Sequence, residues 1–444
     1  MHDILDELLE QKKYTEFITS INSMNEVDIA EYLITVDDAE LYKVFRMLKK
    51  DMASDVFAEL DTEIQEKIIE SMKDTEVSRF IDTLAIDDTV DMLEELPASV
   101  VSRILKTTSH ERRNEINRFL QYADGSAGSV MTSEFISINS SFTVARAVAY
   151  IRKTGINKET VYVIYVTDKS RRLLGIIELK DLLFANDDDI IENLMDSAII
   201  SASTTDDKET VANLISKYDL LALPIVDSEQ RLVGMVTVDD AVDVINDAAT
   251  EDIEKMAAIV STDKPYLKVG VFRTWLTRIP WLLVLMISAA FTGSIITHYE
   301  NALGQVVILT AFIPMLMGSG GNAGGQASVT IIRSLSLGEI RMGNIFRILW
   351  KEFRVSLLCG VTLAVVAFAK VILIDRASVA IAMVVSLSLI VTIIVAKLAG
   401  ACLPILAKRV NLDPTVMASP FITTIVDAVS LVIYFSIATK ILGL

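Results

Sequence analysis

The sequence predicts a multidomain chain with three parts in series: an all-α N-terminal helical solenoid, a duplicated α/β unit, and an α-helical transmembrane bundle of five spans. Three observations carry this. Short apolar-periodic segments fill roughly the first 122 residues, one pattern recurs between about residues 126 and 249, and five long apolar stretches close the 444-residue chain. Charge divides along the same lines. Residues 268–444 hold 14 Lys/Arg and 6 Asp/Glu, net +8, which leaves 27 and 53 for the first part, net −26, and so −18 in total. An acidic surface repels nucleic acid phosphates and gathers cations, so nucleic acid is not expected as a partner. Solubility alone explains such charge equally well.

Residues 1–125 form the predicted acidic helical domain. No proline precedes Pro97, and VFRMLKKDMASDVFAEL, IQEKIIESM, VSRFIDTL, TVDMLEELP and VVSRILKTT each carry a helical apolar face. Helices this short are unstable alone and must stack on one another. The opening MHDILDELLE has no basic start followed by an apolar run, which predicts no cleavable signal peptide and a cytoplasmic N-terminus. Cys359 and Cys402 both lie in apolar runs, as packing residues rather than a disulfide framework or a zinc site.

Residues 126–249 contain the duplication. Met131 aligns with Met195, Val148 with Val211, Gly175 with Gly234 and Asp181 with Asp240. Each copy has a strand run (VYVIYVTD, ALPIVDS), a turn, a second strand (LLGIIEL, LVGMVTV) and an acidic helix start. Order and spacing resemble a pair of cystathionine-β-synthase (CBS) domains, which implies a ligand-sensing module for adenosine nucleotides or metals without catalysis of its own. A long acidic helix over 239–264 then joins this pair to the membrane part, ended by the Pro265 region.

Residues 265–444 are the predicted transmembrane domain, with spans at about 281–299, 305–332, 355–374, 377–407 and 415–439. Basic residues cluster before the first span and in the second and fourth connections, which puts the N-terminal domains in the cytoplasm. The second span contains PMLMGSGGNAGGQAS, whose glycines weaken a helix unless close packing repays them. Asn322 and Gln326, at i and i+4, put two amides on one face at membrane depth, where they line a wet path or hydrogen-bond across helices. The last span, DPTVMASPFITTIVDAVSLVIYF, is broken at Pro414 and Pro420 and carries Asp427. A carboxylate at mid-bilayer costs about 2.5 to 3.5 kcal/mol unless water or a cation meets it. Two readings stay open for Asp427: a structural pair with Lys397, or a hard oxygen site for a cation, to which backbone carbonyls such as that of Thr423 and waters add ligands.

Taken in order, acidic helical domain, CBS pair, acidic connecting helix and five spans with PMLMGSGGNAGGQ and DPTVMASPFITTIVD resemble the MgtE family of magnesium channels over essentially the whole length. The resemblance implies a homodimer in the lipid of the cell membrane, with a pore between subunits, and Mg²⁺ both transported and regulatory. It places transported Mg²⁺ at Asp427 and Thr423, with Asn322, Gln326, Ser419 and Pro420 lining the pore. Regulatory Mg²⁺ falls to Asp87 and Asp91, to Asp207, Glu209 and Asp219 of the second CBS unit, to Asp240, Asp243, Glu251 and Asp252 on the connecting helix, and to Asp413 at the cytoplasmic mouth. Metal bound there neutralises repulsion and closes the pore. One departure is Ala248, which stands where a relative has a carboxylate. Independently, Asp87/Asp91 and Asp243/Asp247/Glu251 are i, i+4 like-charge neighbours, a spacing that a bound cation relieves. ATP at the CBS pair is a further expected ligand. The alternatives are a divalent cation exchanger regulated by the CBS pair and a nucleotide-sensing membrane regulator without transport. No nucleophile–base pair or P-loop appears and His2, His110 and His298 are scattered, so enzymatic function is not expected.

Overall fold

The structure is a computed structural model that describes all residues except 1, 263–265, 267–268, 341, 418 and 444, together with all side chains of the others except those of residues 51, 157, 301, 302, 342 and 419. The chain divides into two compact units, Met1–Asn246 and Asp247–Leu444.

The first unit opens with consecutive short helices between His2 and Phe119. Most of those from Glu26 on dock on the helix two places further along, as Glu26–Thr35 on Lys50–Ala58 and Asp74–Ile81 on Ala98–Thr107 do, whereas His2–Glu10 packs on its neighbour Tyr14–Ile21. This is the packing of a solenoid. Phe45, Phe57 and Phe80 meet edge to face at 4.9 to 6.0 Å, and Phe17, Tyr32 and Phe119 are buried in the same continuous core. Such rings contribute much of the burial that short helices cannot supply alone. The helix α1 (Ile86–Glu95) buries Ile86, Val90 and Leu93, which leaves Asp87 and Asp91 off its core face.

The duplicated units follow. Strands β1 (Ile136–Asn139), β2 (Val163–Thr167) and β3 (Leu173–Glu178) form one sheet in that order, β1 parallel and β3 antiparallel to β2; helix α2 (Val144–Thr154) connects β1 to β2. Strands β4 (Ala202–Ser203), β5 (Ala222–Val226) and β6 (Leu232–Thr237) repeat the arrangement around α3 (Lys208–Tyr218). The segment leading into each copy pairs with the sheet of the other: Thr132 bridges Met235, and Asp196 bridges Ile176. Met131 accordingly lies over Gly234 and Met195 over Gly175, where a Cβ would come 2.5 and 2.7 Å from the sulfurs. The absence of a side chain at both glycines is what lets the exchanged segments close down.

Helix α4 (Val238–Met256) leaves β6. It ends earlier than the sequence reading of 239–264, because Ala258 turns left-handed (φ 57°) and the Ile259 N–H reaches back to the Glu254 carbonyl at 2.9 Å. That closure satisfies carbonyls of the last turn without any proline. Pro265 itself lies outside the described residues.

Among the described residues, five helices are long and apolar enough to cross a membrane. They are α5 (Val271–His298), α6 (Ile313–Ser336, preceded by a 3₁₀ turn at Val307–Phe312), α7 (Ile345–Leu373), α8 (Val379–Arg409) and α9 (Ser419–Leu442). The first starts ten residues before the expected 281, carrying Arg273 and Arg278 within its first turns and Pro280 inside it. The α6 glycines seat it against its neighbours: a Cβ on Gly324 would come 2.9 Å from Ile422 of α9, and one on Gly400 of α8 would land on the Gly324 carbonyl. Close packing through small residues therefore accounts for Gly320, Gly321 and Gly324, whereas Gly318 faces open space.

Candidate cation sites

In the first unit an acidic cleft of about 620 Å³ is lined from α1, the segments around Glu134 and Glu159, and the first turns of α4. Of the predicted residues it collects Asp87, Asp91, Asp240 and Asp243. To these it adds Glu26, Asp55, Glu59, Asp88, Glu134, Glu159 and Asp239, against Lys158 as the single basic residue among those lining it. Crowding has a measurable consequence. Burial, and then Asp240, Glu134, Asp55 and Glu59, push the Asp88 carboxyl up to about 6. Burial followed by Asp88, Glu94 and Asp240 raises Asp91 to about 7, although its edge is open to solvent. Glu159 is likewise raised to about 7, by burial and then by Asp239, Asp240 and Asp88. Asp87 lies well above the ordinary carboxylate range for the same reasons, and its Oδ1 is buried without a hydrogen-bond partner. Asp240 accepts a hydrogen bond from the Thr237 hydroxyl at 2.5 Å.

Among the described residues no three carboxylates, histidines or cysteines close on one metal position. The cleft is a shared negative field, suited to a cation that keeps its waters.

The other predicted residues of the first unit lie elsewhere. Asp207 is the N-cap of α3, its Oδ1 accepting from the Glu209 and Thr210 N–H groups at 2.8 and 3.3 Å, and Asp219 ends the same helix in the left-handed conformation (φ 52°). Asp207, Glu209 and Asp219 are absent from the cleft lining. Capping accounts for the first and the third without a metal.

In the second unit, the end of α4 meets the approach to α9. Lys255 Nζ is 2.8 Å from Glu251 and 2.9 Å from Asp413. Asp413 turns its other oxygen to the Thr415 N–H and hydroxyl at 2.9 and 2.6 Å, which caps the 3₁₀ turn Pro414–Met417. Burial would lower the Lys255 pKa, but hydrogen bonds to Glu251 and Asp413 outweigh it and raise it; those from Thr415 and Lys255 likewise overcome burial at Asp413 and hold it low. Asp252 accepts from Ser336 at the end of α6, at 3.3 Å.

Asp427 sits on α9 with Oδ1 buried and without a hydrogen-bond partner. Among the described residues it makes no ion pair with Lys397, so the structural pair left open by the sequence is not formed. Lys397, 7% exposed, instead lines an open cleft with Asn322, Gln326 and Glu352. Thr423, one turn before Asp427, packs against Gly321. Pro420 stands at the start of the α-helical part of the last span, after the 3₁₀ turn Pro414–Met417. It is the second residue of α9, where a missing N–H costs nothing, and its carbonyl accepts from the Thr424 hydroxyl at 2.9 Å. The Ser419 side chain lies outside the described residues.

Comparison with known proteins places these parts among relatives. The MgtE family model, a divalent cation transporter, matches residues 313–437; an MgtE intracellular N domain matches 24–125, and CBS domains match 127–188 and 191–247. The chain is 34% identical to the magnesium transporter MgtE of Thermus thermophilus over 90% of this chain and 89% of that one. It is 33% identical to the Bacillus subtilis magnesium transporter MgtE, over 97% and 95%. Among solved structures it resembles the soluble part of a magnesium transporter (31% identity, TM-score 0.53, covering 56% of this chain and 98% of that one). It also resembles the cytosolic domain of the Mg²⁺ channel MgtE in complex with ATP (29%, TM-score 0.52, 55% and 100%).

Proposed function

Since the chain belongs to the MgtE family, we propose that it is a homodimeric plasma-membrane channel that admits Mg²⁺ down the membrane potential and is closed by cytoplasmic Mg²⁺. The observation that carries the pore reading is Asp427: a carboxylate within a spanning helix, one oxygen buried and unpartnered. At that depth an ion meets the need better than nothing does. A hydrated Mg²⁺ requires few protein ligands, and Asp427 with the Thr423 backbone supplies them. Asn322 and Gln326, with Ser419 and Pro420, line the path in this reading.

The sensor reading rests on the acidic cleft. Carboxylates that hold their protons near neutrality, and a buried Asp87 oxygen with no partner, are the chemistry a divalent cation relieves. Asp87, Asp91, Asp240 and Asp243 would hold it, joined by Asp88 and Glu159; Glu251, Asp252 and Asp413 serve the same purpose nearer the membrane. Asp207, Glu209 and Asp219 keep only a supporting place. The division into an N-domain (1–125), CBS pair (126–249), connecting helix and transmembrane domain (265–444), with the N-terminus cytoplasmic, belongs to the same reading. ATP at the CBS pair is proposed from the relative whose cytosolic domain holds it. Mg²⁺ favours the closed form only by binding it more tightly.

Flux of Mg²⁺ into liposomes tests the pore: Asp427→Asn should abolish it with the assembled protein unchanged in size, and normal flux would sink the assignment. Flux that follows the membrane potential with no coupling ion separates a channel from an exchanger.

A further inference from the structure

The carboxylates at the membrane end of α4 already have a cation. Glu251 and Asp413 stand on different elements, one on α4 and the other before α9, and the Lys255 ammonium bridges them at 2.8 and 2.9 Å. The bridge is built rather than incidental. Asp413 is held by two hydrogen bonds from Thr415, which leave its other oxygen for Lys255, and Glu251 reaches Lys255 across one turn of the same helix. One residue further on from Glu251, Asp252 is fastened to Ser336. Two carboxylates and one ammonium carry net −1, while a divalent cation in its place would leave the pair neutral.

We propose that Lys255 is a tethered counter-ion that occupies the Glu251–Asp413 site without metal, pinning α4 to the start of the last span, and that a divalent cation binds there only by displacing it. This rests on the regulatory reading above and refines it: the site does not pass from repelling to neutral when metal arrives, but exchanges one cation for another. Such an exchange weakens apparent metal affinity, because the incoming ion must break two charge-assisted hydrogen bonds. It also keeps α4 joined to the start of the last span at low Mg²⁺, which a bare pair of carboxylates would not do. Lys255 thereby fixes the concentration at which this site responds.

The test uses the full chain in lipid nanodiscs with two readouts, neither of them flux. Mn²⁺ binding is followed by its paramagnetic signal, and the component removed by Asp413→Asn reports this site. Lys255→Gln should tighten that component about tenfold, the order expected when the incoming ion no longer has to displace a half-exposed ammonium from two charge-assisted hydrogen bonds. Lys255→Arg should leave it near wild type. The second readout is the distance between spin labels at Ala257 and Val410: in Lys255→Gln without metal it should broaden and lengthen, and Mg²⁺ should restore it. Unchanged or weaker Mn²⁺ binding in Lys255→Gln, or an unaltered metal-free distance, overturns the proposal. Were Asp427→Asn to keep normal flux, the pore reading would fall while both of these results stood.

Discussion

A methyl group placed on Gly400 has nowhere to go. Its Cβ would lie on the Gly324 carbonyl oxygen, 3.0 Å from the carbonyl carbon and 3.2 Å from the Gly324 Cα. These are backbone atoms, so no side chain can swing aside. Relief requires α6 and α8 to part by about 1 Å, the difference between that position and ordinary van der Waals contact. Gly324 is also close to Ile422 and Val426 on α9, so α6 is confined by two helices. Overpacking of this kind costs about 1–3 kcal/mol, and the upper end applies here because the obstruction is main chain. Gly400→Ala should therefore lower the melting temperature of the detergent-solubilised protein and reduce Mg²⁺ flux, since α6 carries Asn322 and Gln326 and α9 carries Asp427. Gly293→Ala is the control: a Cβ there meets nothing within 4 Å. A Gly400→Ala protein as stable and as active as the parent would refute the three-helix contact.

Asp88, Asp91 and Glu159 have pKa values raised on folding to between about 6 and 7, so their protonation stabilises the metal-free protein below about pH 4 and that stabilisation is lost as pH rises through 6 to 7. For Asp88 the ceiling is about 3 kcal/mol, reduced to about 1 kcal/mol by solvent screening; calorimetry without metal should show the first transition falling between pH 5.5 and 8, and Mg²⁺ should flatten the trend. Stability that climbs with pH over that range would contradict the crowding. Tyr434 donates its buried hydroxyl to the Leu309 carbonyl at 2.9 Å, so Tyr434→Phe should cost about 1–2 kcal/mol in thermal melts.

The number of spans was legible because a run of apolar residues long enough to cross a bilayer has few other uses. Their ends were less so: α5 takes in Arg273 and Arg278, since helix geometry continues past the apolar boundary. Asp87 and Asp91 could be read from their spacing on one helix and Asp243 from its i, i+4 series with Asp247 and Glu251, whereas Asp240 came from the family resemblance alone. Glu134 and Glu159 could not. They reach the cleft from irregular segments tied by the hydrogen bond of the Glu159 N–H to the Glu134 carbonyl at 3.0 Å, a long-range pairing with no local pattern. Asp207 carried a signal that points the other way, an aspartate directly before a helical run, which is the mark of a cap. Pro420 is ambiguous for a related reason: proline looks the same from sequence whether it interrupts a helix or begins one, and here it begins the α-helical part of a span that opens with a 3₁₀ turn.

The exchanged segments of the duplicated units bear on how the protein can be taken apart. A fragment cut between the copies would keep β1–β3 but lose the strand-like stretch around Asp196 that borders Ile176, leaving an unpaired sheet margin and an uncovered Gly175. Two such fragments could supply that margin to each other, each lending its own Met131 segment to a neighbour. Isolated halves are thus expected to recover their fold only by association, with a melting temperature that rises with protein concentration, whereas the intact chain carries both partners at fixed local concentration.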